Sequence, residues 1–478
     1  MITATKSATL GTDVNGNGFV NPGDTLMYSV VVSNSAAPGA GNDALNVIFT
    51  DQLNGDLTLV GTATASPIAT NDAYDVLGNV RIQVPVGSGL LANDVNPQGT
   101  GTISVTGAPT TSAQGGNVAV NADGSFSYNP PPGYTGPDSF TYTITHNPNG
   151  KMDTGTVTFT VSGMIWFIDN NAAACTTLAA GCGRLTNPFS SVAAFQALNN
   201  GTGNNPAVGD NIFVYRLAGA NYTGPLTLLN NQKLGGQGMT VTLASFTGLT
   251  PPLHSDALPA TSGTRPVIRV SNNAGGNNLT LGQGNTLRGF NLEANSSGAN
   301  TTGAALIGNG FGSLTASEIS ITSDAGMAGN CGAAVNLNNG NPTATFTSVS
   351  ANRCTNGMVL TNLTGPVTVA GTGSAGSGGT IQNILNNDGV VLNTTSGLIS
   401  LNYMIIQDIT ATNDATDALQ THSGADAIHG RTVSGGLVLT NSTIQRISDN
   451  AINGTVDASP VTGNPTNTTW SGLTLTNN

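Results

Sequence analysis

The loop from position 13 to position 24 has the clearest chemical pattern in this 478-residue chain. Calcium takes six to eight oxygen ligands, and a twelve-residue loop supplies them from positions 1, 3, 5, 7, 9 and 12, with Gly at position 6 for the sharp turn. The matching residues are Asp13, Asn15, Asn17, Phe19 (through its carbonyl), Asn21 and Asp24, with Gly18 at the turn. The loop therefore predicts bound Ca²⁺.

Two departures from that pattern predict weak binding, in the range of extracellular modules. Position 12 is Asp24 rather than the longer Glu, and two of the early ligands are neutral Asn. No helical pattern flanks the loop, so it would join two strands. The alternative is an Asn/Gly turn that binds nothing.

A second group of acidic and amide side chains follows between positions 71 and 96. Its members are Asn71, Asp72, Asn93, Asp94 and Asn96. These side chains either supply oxygens to a second calcium ion or form Asx-turns, in which the side chain hydrogen-bonds its own backbone.

The composition restricts which elements position these groups. Glu and Lys, two strong helix formers, supply only five residues (2 and 3), whereas Gly alone supplies 64. This excludes a helix-rich fold and predicts an all-β chain. The apolar fraction of 38% is enough for a core.

Charge and hydropathy exclude two classes of partner. The net charge is −12 and the twelve basic residues are scattered singly, so we expect no nucleic-acid binding. Apolar runs stay well short of 18 residues, which predicts no membrane span. The first residues read as a strand rather than a signal peptide, so we expect either a processed chain or a piece of a longer one.

Residues 1–65 read as a small β-sandwich, with strands at Leu26–Ser33 and Ala44–Thr50. Pro22-Gly23-Asp24-Thr25-Leu26-x-Tyr28, then a Val-rich strand and Asn46-Val47 leading to Asp51, resembles an immunoglobulin-like bacterial surface repeat of unknown function. The resemblance covers about 60 residues.

Residues 66–163 read as a second sandwich of alternating apolar and polar residues. The segments Ser66–Tyr74, Leu90–Pro97, Asn121–Tyr128 and Gly133–Thr143 occur in the order typical of cadherin-like, or bacterial immunoglobulin-like, domains. The resemblance implies that its acidic clusters can hold calcium at a domain junction.

Residues 164–478 contain a repeat. Apolar triplets beginning at Ala305, Ala334, Met358, Val390, Ala427 and Ala451 recur, and Ile-Gln-x-Ile recurs at 381, 406 and 444. The basic period is about 24 residues with insertions, which predicts a solenoid of short parallel strands. Residues 164–208 would form its entry, with a helix at Val192–Leu198, and residues 209–478 would form the solenoid proper.

This region resembles right-handed parallel β-helices, which occur in adhesins, polysaccharide lyases and tailspikes; the fold alone does not choose among them. The predicted fold class is thus two immunoglobulin-like sandwiches followed by a right-handed parallel β-helix.

The four cysteines fall into two pairs. Cys175 and Cys182 enclose six residues, and Cys331 and Cys354 precede matched positions of neighbouring repeats. Stacked strands bring such residues within disulfide distance, so we predict two disulfides; buried free thiols are the alternative. His residues lie far from both pairs in sequence, which argues against zinc, and disulfides favour an oxidising compartment.

An insertion after Thr410 holds the residue types that glycan cleavage needs, since carboxylates and His can act as general acid and base. The candidates are Asp414, Asp417, His422, Asp426, His429 and Arg431. They do not complete the active-site signature of a β-helix lyase or glycosidase. A solvated loop is the alternative, and we predict no enzyme activity and no catalytic residue.

The leading hypothesis is an extracellular or cell-surface, adhesin-like structural protein with calcium-stiffened spacers, whose partner would be a glycan or a host or neighbouring cell surface. The alternatives are a carbohydrate-active β-helix enzyme, a tailspike-like glycan binder, or a self-assembling fibre subunit. The strand pattern at Trp470–Thr476 is not followed by a cap, so we expect that the chain continues or that another subunit docks there.

Overall fold

A computed structural model describes residues 2–34, 56–58, 60, 64–216, 221–270, 276–295, 303–325, 331–384, 387–410, 424–449, 451–455, 469–471 and 474–476. The chain forms two compact units, Met1–Ala63 and Thr64–Asn478. The predicted strand at Ala44–Thr50 lies outside the described residues, as do the candidates Asp414, Asp417 and His422.

The described part of the first unit is an antiparallel pair of strands, β1 (Ile2–Thr12) and β2 (Thr25–Asn34). Their register pairs Leu10 with Leu26, and a bulge follows. The Asp13–Asp24 segment connects the two strands, as the sequence predicts.

The second unit begins with a sandwich of seven strands. They are β3 (Asp72–Gly78), β4 (Ile82–Val84), β5 (Thr102–Gly107), β6 (Asn117–Val120), β7 (Phe126–Asn129), β8 (Gly136–Asn147) and β9 (Met152–Ile168). One sheet has the order β5-β8-β9-β3 and the other the order β4-β7-β6. Their alternating inward residues form one core, in which the rings of Tyr128 and Phe159 stack with centroids 3.8 Å apart.

Strand β9 does not end with the sandwich. Its first part pairs with β3 and β8, and its last part, from Ile165 to Ile168, pairs in parallel with the next strand of the chain. Gly163 lies between the two parts with φ +69°, a left-handed conformation that glycine adopts without strain.

The rest of the unit is built from short strands. They are β10 (Asn211–Val214), β11 (Tyr222–Thr223), β12 (Leu226–Thr227), β13 (Lys233–Gly236), β14 (Val267–Val270), β15 (Leu279–Thr280), β16 (Asn285–Arg288), β17 (Asn291–Asn295), β18 (Leu306–Asp324), β19 (Val335–Asn352), β20 (Met358–Leu363), β21 (Val367–Val369), β22 (Gly379–Gln382), β23 (Val390–Thr395), β24 (Ile399–Asn402), β25 (Met404–Ile409), β26 (Ile428–Val433), β27 (Leu437–Thr440), β28 (Thr443–Ile447), β29 (Ile452–Thr455), β30 (Thr469–Ser471) and β31 (Thr474–Thr476).

These strands pair only in parallel and form three ladders. The first ladder follows β12-β15-β18-β19-β20-β23-β26-β29. The second follows β9-β10-β13-β16-β18-β19-β21-β24-β27-β30, and the third follows β11-β14-β17-β18-β19-β22-β25-β28-β31. The long strands β18 and β19 bend through all three ladders. Alternate side chains of all three ladders meet in one apolar core.

Among the residues that the structure describes, two α-helices interrupt the strands. Helix α1 (Val192–Leu198) has the predicted bounds; Ser191 caps it, and Val192 and Phe195 pack into the core of the ladders. Helix α2 (Leu243–Thr247) was not predicted. It has only five residues, begins at the cap Thr242 and ends at Gly248 in the left-handed conformation. Short 3₁₀-helices lie at Val86–Ser88 and Leu178–Ala180.

The predicted register is right in one series and shifted in another. Ile381, Ile406 and Ile444 pair as expected. In the first ladder, however, Met358 pairs with Val335 rather than with Ala334. Val390 likewise pairs with Ile428 rather than with Ala427, so the triplet alignment is wrong by one residue at both steps. The cause is physical: Ala427 and Ile428 are both fully buried, so burial alone does not choose between them.

Both cysteine pairs are disulfide-bonded. Cys175–Cys182 and Cys331–Cys354 have Cα–Cα distances of 5.5 and 4.2 Å. Cys331 and Cys354 face each other across a parallel bridge between neighbouring repeats, as the spacing predicts.

Corner residues in the left-handed conformation recur between the ladders. One column, at the end of the first-ladder strands, contains Asn339, Asn362, Thr394 and Thr432, with φ between +50° and +57°. Asn adopts this conformation with little strain, whereas a β-branched Thr is strained in it. The backbone conformation is therefore the same along the column, but the two Thr residues adopt it at a higher energy than the two Asn residues.

Among the described residues, the helices are all too short to cross a lipid bilayer.

Candidate functional site

An acidic pair lies at one end of the sandwich. Asp72 begins β3, and Asp94 lies in the loop before β5. Asp94 Oδ1 accepts a hydrogen bond from the backbone N–H of Thr70 at 2.7 Å, and the hydroxyl of Tyr142 lies 3.2 Å from the same oxygen. Burial and the nearby charge of Asp94 raise the pKa of Asp72 to about 6, and burial also raises the pKa of Asp94.

One oxygen of this pair lacks a partner. Asp72 Oδ2 is buried and accepts no hydrogen bond of normal geometry. A third carboxylate, Asp153, lies close enough to raise the pKa of Asp94 further, and it accepts the N–H of Ala69 at 2.9 Å. A buried, unpartnered carboxylate oxygen among negative charges is the environment that a cation stabilises.

The amides predicted beside this pair hydrogen-bond the backbone, and Asn93 also lies close enough to Asp72 to lower its pKa. Asn71 Oδ1 accepts the N–H of Thr156, and Asn93 Nδ2 donates to the carbonyl of Asn71. Asn96 bonds the backbone of the loop that follows it. Of the five predicted residues, the structure brings Asp72 and Asp94 together. Sequence reasoning missed Asp153 because it lies some 60 residues further along the chain.

The sheet order, the strand motifs and this acidic end all fall between residues 64 and 163. Residues 64–163 match the family model of the bacterial cadherin-like domain. No curated protein and no solved structure matches the chain. Cadherin-like domains typically bind calcium, and the unpartnered Asp72 oxygen of this cadherin-like domain fits a cation.

The Asp13–Asp24 loop of the first unit is tied together by its own carboxylates. Asp13 Oδ1 accepts the N–H of Gly16 at 2.7 Å and Oδ2 accepts that of Gly18 at 2.6 Å. These hydrogen bonds hold the pKa of Asp13 below its usual value, and the bond from Gly18 has the largest effect. Asp24 closes the loop by accepting the N–H groups of Val14 and Asn21. An ionised carboxylate has about four acceptor positions, so Asp24 keeps room for a cation. Asp13 also accepts the N–H of Asn15 at 3.2 Å and has at most about one position left.

The middle of the loop has a different arrangement from the predicted one. Asn21 directs its amide nitrogen to Asn17 Oδ1 and to the carbonyl of Phe19, at 3.0 and 2.9 Å. Asn15 Oδ1 accepts the N–H of Asn17. Calcium binding here requires the Asn21 amide to turn over, so that its oxygen faces the same centre as the other ligands.

A third cluster is buried between two neighbouring repeats. Asp388 lies two residues before β23, and Asp426 lies two residues before β26, the strand that pairs with β23. The N–H of Asp426 donates to Asp388 Oδ1 at 2.7 Å. His429 Nδ1 lies 3.2 Å from Asp426 Oδ2 and 3.6 Å from Asp388 Oδ2.

Each of the three residues offers one ligand atom, and these atoms lie within 4.8 Å of one another. The carboxylate side chains are 2% exposed and the imidazole is 10% exposed. Sequence analysis selected Asp426 and His429 but missed Asp388. The signal was present, but the one-residue register shift placed Asp388 beside Ala425 instead of Asp426.

Of the other residues predicted near this insertion, the structure describes Arg431. Asp414, Asp417 and His422 lie outside the described residues. Arg431 is half-buried on β26, two residues beyond His429. A polymeric substrate cannot contact carboxylates as deeply buried as those of Asp388 and Asp426.

Proposed function

We propose that the protein is an extracellular structural protein of the adhesion type, acting at a cell surface. In this proposal the cadherin-like domain presents residues 209–478, which form a right-handed parallel β-helix. The presence of a cadherin-like domain supports a surface or adhesion-type role. The three parallel ladders around one core are the strand arrangement that a β-helix requires.

The continuity of β9 carries this proposal. A single strand, Met152–Ile168, belongs to the sheet of the cadherin-like domain and to the second ladder. An apolar cluster covers the junction, in which Leu77 and Val80 pack with Ile165, Phe213 and Leu243. A presenting domain gains from this construction, because the ladders cannot swing freely on a linker.

Calcium would act as a stiffener in two places. In the first unit Asp13 and Asp24 would hold it, and in the cadherin-like domain Asp72 and Asp94 would hold it. Neutralising the buried charge of Asp72 would favour the folded domain.

Two disulfides support an extracellular location, since oxidising compartments preserve such bonds. Asp426 and His429 are too deeply buried to contact a polymeric substrate, which supports a role in binding a surface rather than in cleaving a glycan. An enzymatic role would require a site on residues other than this buried cluster.

Retention on surfaces is the direct test. The labelled 478-residue chain would be applied to arrays of neutral and acidic glycans and to bacterial and host cell surfaces, with calcium chloride or with a chelator. We expect retention in calcium on at least one of these surfaces. The size distribution of dissolved polysaccharides incubated with the chain should stay unchanged.

Either of two results would contradict the proposal. Shortening of a polysaccharide, abolished by Asp426→Asn, would establish an enzyme. A lack of retention on every surface in calcium would remove the adhesion role.

A further inference from the structure

We propose that Asp388, Asp426 and His429 form a binding site for one first-row divalent transition-metal ion, such as Zn²⁺. The site is separate from both calcium sites discussed above and lies at the first ladder of the second unit, where β23 and β26 begin. It would act as a structural clip between two neighbouring repeats.

The geometry of the three ligand atoms fits a small ion. Zn²⁺ binds imidazole nitrogen and carboxylate oxygen at about 2.0–2.2 Å, so two ligands at a tetrahedral angle are separated by about 3.4 Å. His429 Nδ1 lies 3.2 and 3.6 Å from the two carboxylate oxygens. All three ligand atoms lie within 4.8 Å of one another, so an ion placed between them needs only a shift of the side chains.

The carboxylates are already oriented for this role. Asp388 Oδ1 accepts the N–H of Asp426, which turns Asp388 Oδ2 toward the imidazole. The carbonyl of Asp388 accepts the amide of Asn356 from the preceding repeat at 2.9 Å. Such second-layer hydrogen bonds typically fix the ligands of a metal site before the ion binds.

The charge of the cluster favours a divalent ion. As metal ligands, the two carboxylates at 2% exposure would be ionised and would carry two negative charges in a region of low dielectric constant. A protonated His429 would offset one of them, whereas a divalent ion bound by neutral imidazole would offset both. The imidazole also selects the kind of ion, since Ca²⁺ and Mg²⁺ prefer oxygen ligands throughout.

The cluster is not a general requirement of the ladders. At the position of Asp388 and Asp426, the two preceding repeats carry Asn356 and Ala333. At the outward position of His429, the preceding repeat carries Val391. Among these repeats, the three ligands therefore occur together only in the two repeats on either side of the insertion that follows Thr410.

Metal content tests the proposal. The full chain would be produced in medium containing zinc, passed through gel filtration with a calcium-loaded buffer, and analysed by mass spectrometry of the metals. We expect about one zinc ion per chain in the natural sequence. His429→Ala and the double variant Asp388→Asn/Asp426→Asn should lose it, while His254→Ala and Asp123→Ala should retain it.

Folding of the variants is checked by far-ultraviolet circular dichroism. A second measurement does not depend on the variants. Co²⁺ added during production of the natural chain should give the visible absorption of a tetrahedral site. Added zinc should remove this absorption, whereas added calcium should not. Zinc-free natural chain, zinc retained by His429→Ala, or the lack of a Co²⁺ band would each overturn the proposal.

Discussion

Asp72 carries the clearest dependence on pH. Its pKa of about 6 in the folded domain exceeds the ordinary value of 3.8, so the folded state holds a proton that the unfolded chain releases. This contribution to stability is complete below about pH 4 and is lost as the pH rises through 6.

The test compares urea midpoints of the natural chain and Asp72→Asn at pH 4 and pH 7 in chelator. The natural chain should lose about 1–3 kcal/mol relative to the variant over this interval, and calcium should restore part of the loss at pH 7. An equal change in both chains would show that Asp72 is not responsible.

Asp13 tests the calcium loop of the first unit. Asp13→Ala removes the carboxylate that accepts the N–H groups of Gly16 and Gly18 and would also bind the ion. We expect calorimetric titration to show one weak calcium site fewer, with a dissociation constant of about 0.1–1 mM in the natural chain.

Asp123→Ala is a matched control, because Asp123 is also a turn carboxylate whose pKa is held low by hydrogen bonds, here those of Ser125. It should leave the titration unchanged. Identical titrations of the natural chain and Asp13→Ala would mean that the loop is only a turn.

Residue-level sequence reasoning can group residues that lie close along the chain, but it cannot group residues that meet only through the fold. The candidate ligands of the Asp13–Asp24 loop lie close in sequence, so their spacing was enough to propose a site, although the middle of the loop is arranged differently from the prediction. Asp153 and Asp388 join their clusters through strand pairing, and no local pattern distinguishes them from other Asp residues in turns.

At the scale of single elements, a substitution at one of the left-handed corner residues should stabilise the fold. Thr432 is exposed and has φ +56°, whereas Asn339 and Asn362 occupy the same corner in earlier repeats. Thr432→Asn should raise the free energy of unfolding by about 0.5–1 kcal/mol, because Asn tolerates this backbone conformation better than a β-branched residue.

Denaturant unfolding of the full chain measures this change. The reverse substitution, Asn362→Thr, should shift the midpoint in the opposite direction. If Thr432→Asn shifts it downward, the hydroxyl or methyl group of Thr432 has a role that φ does not reveal.

The strands themselves were largely predictable, since apolar residues at alternate positions and the poverty of Glu and Lys both favour them. Helix α2 was not, because five residues rich in Ser and Thr carry too little periodicity. The sequence predicted a domain boundary after Gly163, but the left-handed φ of this residue lets β9 continue across the boundary. A glycine in the sequence indicates that the backbone can turn at that position. Whether the strand pairs again beyond the glycine depends on which strands lie beside it.

At the scale of the second unit, Asn79 joins the cadherin-like domain to the residues that follow it. It is fully buried, its Oδ1 accepts the N–H of Gly133, and its Nδ2 donates to the carbonyl of Ile165. Asn79→Ala should destabilise the unit by about 2–4 kcal/mol, because buried polar groups lose their partners.

Differential scanning calorimetry of the full chain should then show earlier melting of the cadherin-like domain. Arg81→Ala is the control: the Arg81–Asp256 ion pair also crosses the junction, at 2.9 Å, but it is partly exposed and should contribute at most about 1 kcal/mol. Equal effects of the two substitutions would show that the buried amide is not the main link.

The shared strand β9 also determines how this unit responds to pulling. Strand β3 enters the cadherin-like domain and β9 leaves it, and the two are parallel neighbours joined by a ladder of hydrogen bonds. Tension applied between the entering and leaving ends therefore shears that ladder, so its bonds must break together rather than one after another. A chain attached at one end and holding a target at the other would resist flow through this pair of strands.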